Sequence, residues 1–180
     1  MSKNLRTPQI IAIIVAVIAI VSFFLPFISA TKEYSEYLDL RADEKVYSSS
    51  DLKVGDMKNL SLFNYAKVYL QAGKEIYRDQ GTGTFYAILI GAVAVFAILI
   101  LLFALGKKSV PIIIFSILMG IDFFLINWDF TDRRIMPDSN RVWGIAHYAF
   151  YPIAVILLIC GIWMLVEKKK AKRQAEGSNS

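Results

Sequence analysis

Four long apolar runs constrain the fold of this chain more than any other feature of its sequence. They cover residues 8–30, 84–106, 110–127 and 144–166, and Asp122 is the one Asp, Glu, Lys or Arg within them. A helix of about 20 apolar residues crosses the ~30 Å hydrocarbon core of a bilayer, so each run is about long enough to span it. Because the runs show no strand-type alternation, helices are the predicted spanning form. We predict an all-α membrane protein with a four-transmembrane-helix bundle.

The charges of the connecting segments predict the orientation of these helices. Segments 1–7, 107–109 and 167–180 carry more Lys and Arg than Asp and Glu, whereas the other two connections are close to balanced. The positive-inside rule places the basic side in the cytoplasm, which predicts a multi-pass plasma-membrane protein with both termini cytoplasmic. The predicted order is a cytoplasmic N-terminus (1–7), helix 1 (8–30), an extracellular subdomain (31–83), helix 2 (84–106), a cytoplasmic link (107–109), helix 3 (110–127), extracellular loop 2 (128–143), helix 4 (144–166) and a basic cytoplasmic tail (167–180).

The amino terminus allows a second interpretation. Lys3 and Arg6, followed by an apolar run that ends in Ile28-Ser29-Ala30, resemble a cleavable signal peptide. The run is longer than a usual signal core and is bulky around Pro26, so we favour a retained first helix. The other three predicted helices keep their orientation in either case.

Net charge and cysteine content exclude several classes of function. The charge is +5, but because its basic residues gather on one predicted side we interpret it as a topology signal and predict no nucleic-acid partner. Cys160 is the only cysteine and there is one histidine, so neither an internal disulfide nor a metal centre is predicted. The motifs G-x-x-x-x-G-K-[ST], H-E-x-x-H and G-x-S-x-G are missing. We therefore predict no catalytic residues, no cofactor and no enzymatic activity.

The segment 31–83 is long enough for a small α+β subdomain between helices 1 and 2. Short alternating stretches in residues 32–57 predict two or three strands, and Gly55-Asp56 predicts a turn. The stretch LSLFNYAKVYLQAGKEIYRDQ predicts an amphipathic helix with Ser61 as its N-cap. Gly81-Thr82-Gly83 is predicted to break that helix before the second span.

Tyrosines dominate this subdomain, which holds six of the nine in the chain. One interpretation is a surface that recognises a sugar, a peptide or a protein; the other is that the rings pack the subdomain and settle at the lipid–water boundary. The charged residues of loop 2 either form a lid over a pocket or use two adjacent arginines to pair with acids of the first loop, which would join the two loops into one cap. The lid residues are Asp129, Asp132, Arg133, Arg134, Asp138 and Arg141. The candidate recognition residues are Tyr34, Tyr37, Tyr47, Tyr69, Arg133 and Arg134.

Aromatic and basic residues at the ends of the runs predict contacts with the lipid bilayer, the one partner that the composition demands. Trp128 and Trp143 bracket loop 2 at positions typical of interface anchors. Lys168, Lys169 and Lys170 follow the fourth run, where they hold its end inside or attract anionic lipid.

Asp122 and His147 form a candidate polar pair within the membrane. An ionisable group inside a span usually faces the bundle interior or a water-filled cavity. Helices 3 and 4 are predicted to be antiparallel neighbours, which brings the two residues to comparable depth. One interpretation is a proton-responsive or cation-binding pair. The other is a structural contact, either a hydrogen bond that joins two helices or a protonated Asp122 bonded to a tyrosine hydroxyl.

A long outer loop, a tight inner link, a short outer loop and two cytoplasmic ends resemble the topology of claudins and related four-span proteins. The resemblance is one of topology, because the claudin W…GLW…C…C signature needs cysteines that this chain lacks. SFFLPFISA and SLFNYAKVYL are similar to segments of uncharacterised small four-span membrane proteins of Gram-positive bacteria. That second resemblance implies a bacterial plasma membrane and no particular activity.

Two hypotheses of function follow from the sequence. The first is an accessory or interaction protein whose extracellular cap binds a protein partner, an envelope component or another copy of itself. The second is a small oligomeric transporter or channel with Asp122 in its pathway.

Overall fold

The computed structural model describes residues 3–133, 135–136 and 138–177. Most of this part is helical. Its α-helices are α1 (Lys3–Ser22), α2 (Lys32–Asp39), α3 (Leu62–Tyr77), α4 (Gln80–Leu105), α5 (Ser109–Asp132) and α6 (Ile145–Gly177). The strands are β1 (Pro26–Ala30), β2 (Asn59–Ser61) and β3 (Arg141–Trp143), and a short 3-10 helix covers Val54–Lys58.

Three helices, α4, α5 and α6, are long and apolar enough to cross a membrane. Only 28% to 39% of the apolar window of each is buried inside the protein, so most of its apolar side chains face outward. An apolar surface of this extent is suited to lipid, because soluble proteins rarely expose so large a patch. The structure therefore agrees with a mainly helical membrane protein.

The first apolar run is divided, where the sequence predicts one helix over residues 8–30. α1 ends at Ser22, its apolar part Arg6–Ser22 is shorter than the three candidate spans, and the end of the run forms β1. Pro26 has no N–H to donate in a helix interior, so it suits the first position of a strand. Phe27 and Ile28 of this strand are 0% and 1% exposed. These two apolar residues are therefore buried in the strand and do not extend the membrane-type helix.

Each of the four long helices packs against two of the others. α1 packs against α4 and α6, and α5 packs against the same two helices. At one end, Gln9 Nε2 donates to the Ala104 carbonyl at 3.1 Å, and Lys168 Nζ donates to the Lys107 carbonyl. These contacts gather the three basic segments of the sequence at one end of the molecule.

A three-stranded antiparallel sheet covers the opposite end, in the order β2-β1-β3. Ile28 of β1 pairs with Leu60 on one side and with Trp143 on the other. The Thr31 amide extends the second pairing by donating to the Asn140 carbonyl at 2.9 Å. Residues 26–78 and 133–143, as far as they are described, therefore form one unit, which we call the cap.

The predicted strands in residues 32–57 are wrong. The segment begins with α2, whose N-cap Thr31 accepts a hydrogen bond from the Tyr34 amide at 3.4 Å. Leu38 is 2% exposed while Leu40 is 82% exposed, so residues two apart do not share a buried face as they would in a strand. The remainder consists of turns, one isolated bridge between Lys45 and Lys53, and the 3-10 helix, which contains the predicted Gly55-Asp56 turn.

The amphipathic helix is confirmed as α3, and its N-cap Ser61 accepts from the Asn64 amide at 3.1 Å. The predicted break at Gly81-Thr82-Gly83 is wrong. The turn between α3 and α4 lies earlier, at Arg78 in the left-handed conformation with φ of 58°. Asp79 then caps α4 by accepting from the amides of Gly81 and Thr82 at 3.1 and 2.8 Å.

The glycines of this region allow α3 and α4 to touch. A Cβ atom on Gly73 would lie 2.8 Å from the Gly83 Cα, and a Cβ on Gly83 would lie 2.7 Å from the Tyr69 carbonyl oxygen. Both neighbours are backbone atoms that cannot move independently. Gly73 and Gly83 therefore bring the helix axes close together, and neither ends a helix.

We expect Gly83→Ala to lower the melting temperature of the purified protein, because overpacking a close contact costs about 1–3 kcal/mol. Gly91→Ala is the matched control in the same helix, since a Cβ there meets nothing within 4 Å. Replacing a helical Gly by Ala normally stabilises by about 0.5–1 kcal/mol, so the control should melt at the same or a higher temperature. Equal melting of the two variants would contradict the proposed contact.

Candidate functional site

The cap contains a cavity of about 480 Å³. Three parts of the chain build its walls: the segment from α2 to β2, the buried face of α3 and the segment that leads from α5 to β3. Its described lining residues are Tyr34, Val46, Tyr47, Leu52, Met57, Leu60, Asn64, Tyr65, Val68, Tyr69, Ile76, Tyr77, Arg133, Ile135, Asp138 and Arg141. The site therefore exists only when both loops are folded together.

Aromatic rings form one side of this cavity. Tyr65 and Tyr69 are four residues apart and lie on the same face of α3, where Tyr69 is 5% exposed. Their rings lie 6.3 Å apart, and Tyr69 continues the series to Tyr77 at 5.7 Å. Tyr77 in turn stacks on Tyr86 of α4 at 5.3 Å. The wall thus runs from the cap to the first turns of α4.

Arg133 lies at the centre of this aromatic wall. Its guanidinium carbon is 4.3 Å from the centre of the Tyr86 ring and 5.7 Å from those of Tyr69 and Tyr77, so cation–π attraction acts from three rings. It also donates to the Tyr77 hydroxyl and forms an ion pair with Asp129, one turn earlier in α5. Arg133 is therefore held by its own helix and by tyrosines. The predicted pairing of Arg133 with an acid of the first loop is not observed.

Arg141 occupies the other side of the cavity, on β3. Its guanidinium carbon lies 5.8 Å from the centre of the Tyr34 ring, and Tyr34 stacks on Tyr37 at 6.1 Å. Among the described residues no carboxylate forms an ion pair with Arg141. Arg141 thus differs from Arg133, whose charge Asp129 balances.

Two polar atoms of the lining, the Tyr65 hydroxyl and Arg133 Nε, are buried and carry hydrogens that no group in the described part of the chain accepts. The Arg141 guanidinium lies near the Tyr65 oxygen, where its charge acts to lower the Tyr65 pKa. Buried polar groups are paired in more than about nine cases in ten, so these two are exceptional. Burial raises the pKa of Tyr65 to about 12, against the opposing charge of Arg141, and burial also raises the pKa of Tyr69. Both hydroxyls consequently stay protonated at neutral pH and can donate.

The structure brings together four of the six predicted recognition residues. Tyr34, Tyr47, Tyr69 and Arg133 line the cavity. Tyr37 is 52% exposed and does not line it, and Arg134 lies outside the described residues. The sequence prediction missed Tyr65 and Tyr77, and it included Arg141 only as a member of the charged lid. The four-residue spacing of Tyr65 and Tyr69 on a predicted helix is the signal that could have found the first of these.

The predicted pair Asp122 and His147 does not form a hydrogen bond or an ion pair within the described chain. Asp122 is 6% exposed and its Oδ2 has no partner, while His147 stacks on Trp143 with ring centres 3.9 Å apart. The polar contact that joins α5 and α6 is instead Asn127 Nδ2 to the Tyr151 hydroxyl, at 3.1 Å. The sequence prediction did not include Asn127.

The predicted lipid anchors have different surroundings. Trp128 is 60% exposed on α5, as an anchor requires, but Trp143 is half-buried between His147 and Phe27. The basic tail continues α6 as a helix, where Lys168 reaches the Lys107 carbonyl. Lys169 is exposed, and Lys170 forms an ion pair with Glu167 at 3.1 Å.

We expect Arg133→Met to destabilise the cap, because it leaves the 15% exposed Asp129 carboxylate and the Tyr77 hydroxyl without their donor. Loss of one partner of a charged hydrogen bond at such a site costs about 1–3 kcal/mol. Arg78→Met, at an exposed position on the same cap, should melt within a degree or two of the unaltered protein. The double variant Arg133→Met with Asp129→Asn should recover part of the loss; no recovery would show that the ion pair is not the cause.

Within the described ranges no three His, Cys, Asp or Glu side chains cluster as metal ligands. Comparison of the chain with protein-family models, with curated proteins and with solved structures found no match.

Proposed function

We propose that the chain crosses the plasma membrane four times, with both termini in the cytoplasm and the cap outside. α4, α5 and α6 are long enough to span. The apolar part of α1, Arg6–Ser22, is at the lower end of the about 17–25 residues that a helical crossing takes. The concentration of Lys and Arg at the end opposite the cap favours this orientation.

In this arrangement the protein acts as an accessory or interaction protein, not as an enzyme, and its cap binds a partner. The observation that carries the proposal is the cavity of about 480 Å³ built from both loops. Its volume falls in the range of about 300–1,000 Å³ that is typical of ligand sites. Its described lining contains no Ser, Cys or His that would serve as a nucleophile or a base.

The composition of the lining suits recognition. Tyr and Arg are the residues that most often dominate binding energy at protein interfaces, because they combine large contact area with polar groups of fixed geometry. Here tyrosines and two arginines lie beside apolar walls from Leu52, Val68 and Ile135. The partner is a protein, an envelope component or a second copy of the chain, and a group that it presents enters the cavity.

Filling the cavity tests the proposal. We expect Leu52→Trp to place a bulky ring in the site and to weaken partner binding at least about tenfold, as loss of a central contact does. Leu40→Trp is the matched control, because Leu40 belongs to the same loop and is 82% exposed. Binding is measured by cross-linking in host membranes and recovery of the tagged protein, with two differently tagged copies to detect self-association. Equal recovery with both variants would count against the cavity as the binding site.

Asp122 favours a second candidate function, a transporter or channel that assembles from several copies. The residue is 6% exposed, its Oδ2 has no hydrogen-bond partner among the described residues, and buried ionisable residues in membranes often mark ion pathways. Ion flux in proteoliposomes should then collapse in Asp122→Asn, which keeps the shape of the side chain. Ser116→Ala, on the same buried face of α5, is the control. Unchanged flux in Asp122→Asn would remove this candidate.

A further inference from the structure

The charge of the cap cavity indicates the chemistry of its ligand, given that the cavity is the binding site proposed above. We propose that it binds an anionic oxygen group, a carboxylate or a phosphate, carried on an apolar body. Arg141 supplies the charge for this group, and the Tyr65 hydroxyl supplies a hydrogen bond.

A cationic ligand is disfavoured because the aromatic faces already hold cations. Cages of aromatic rings bind ammonium groups through cation–π attraction. In this cavity the guanidinium of Arg133 occupies the faces of Tyr69, Tyr77 and Tyr86, and that of Arg141 lies over Tyr34. A second cation would meet like charge at both ends of the site.

Two arginines line the cavity, and only one of them has an acidic partner among the described residues. The other is available to a ligand. Asp129 neutralises Arg133. Asp138 lies on the exposed rim, where its Oδ1 accepts from the Asn140 amide at 3.2 Å and from the Ser139 hydroxyl at 3.4 Å. Arg141 has no carboxylate partner among the described residues, and its planar fork suits a bidentate contact to a carboxylate or a phosphate.

The buried polar atoms of the lining point to the same ligand. The Tyr65 hydroxyl and Arg133 Nε carry hydrogens that no described group accepts. An oxyanion accepts several such bonds at once, whereas an ammonium group would add further donors. The remaining walls, from Val46, Leu52 and Met57, are apolar and suit a hydrocarbon or an aromatic body.

Two sources present this chemistry. Arg133 follows the last turn of α5, at the proposed membrane boundary, which puts the cavity near the headgroups of anionic lipids. The second source is an organic acid dissolved outside the cell. The two sources share the oxyanion and the apolar body, and an experiment separates them.

The protein is placed in phosphatidylcholine nanodiscs, and binding of three probes is measured by fluorine NMR. The probes are para-fluorophenylacetate, para-fluorophenyl phosphate and the uncharged 2-(para-fluorophenyl)ethanol. We expect both acids to bind at least about tenfold more tightly than the alcohol, which corresponds to one charged hydrogen bond. Equal affinity of acids and alcohol overturns the proposal.

Variants assign the preference to this site. Arg141→Gln should abolish the preference for the acids, while Arg141→Lys should retain part of it. Arg78→Gln, on the exposed surface of the cap, should leave it unchanged. Tyr65→Phe should weaken the acids about threefold or more relative to Tyr37→Phe, which alters a ring outside the lining. A preference that survives both Arg141→Gln and Tyr65→Phe overturns the assignment; if Arg141→Gln does not fold, the Lys and Phe variants decide.

Competition identifies the source. Dihexanoyl phosphatidylglycerol is added below its micellar concentration, with the phosphatidylcholine analogue as control. Selective displacement of the acid probes by phosphatidylglycerol supports the oxyanion site and assigns it to a lipid headgroup; lack of displacement supports the same site and assigns it to a dissolved acid. If the acids bind no more tightly than the alcohol while Leu52→Trp still weakens partner binding, the proposed ligand chemistry is wrong. The proposed binding function is retained in that case.

Discussion

The pairing of β1 with two remote strands is the interaction on which the rest of the cap depends. β1 is the next element after α1, and it pairs with β2 on one edge and with β3 on the other. Phe27 fixes it to the helices by edge contacts with Phe123 and Phe130 of α5, at 5.9 and 5.6 Å. Since both edges of β1 are covered, its backbone groups find hydrogen-bond partners in the sheet although Phe27 and Ile28 are buried. The sheet thereby joins two loops that are far apart in the sequence.

The cavity follows from this arrangement. The sheet aligns Arg141 with the start of α3, and the contact of Gly73 with Gly83 holds α3 against α4. Arg133 then meets rings from both helices, while its own charge is balanced within α5. The long apolar helices thus provide a fixed support for the polar groups of the cap. On such a support, the proposed binding site would lose little conformational entropy when a ligand enters.

Local signals in the sequence predicted part of this fold, and remote contacts determined the rest. The apolar runs and the Ser61 cap depend on residues within a few positions of one another, so the helices α3 to α6 could be predicted. β1 could not, because Phe27 and Ile28 become a strand only through partners near residues 60 and 143. Among the site residues, a surplus of tyrosine indicated the cap. The ring partners of Arg133 and the lack of an acidic partner for Arg141 among the described residues could not be predicted, because both depend on tertiary packing.

The central position of β1 also has a consequence for the order in which the protein is made. β1 leaves the ribosome soon after α1, whereas β3 emerges only after α5 is complete. Until Arg141 to Trp143 arrive, one edge of β1 has no native partner, and an unpaired edge is prone to wrong pairing. The cap therefore completes late in synthesis, after α5 and before α6. Biogenesis of this protein should be most sensitive to delay between α5 and α6, at the one connection that closes the sheet.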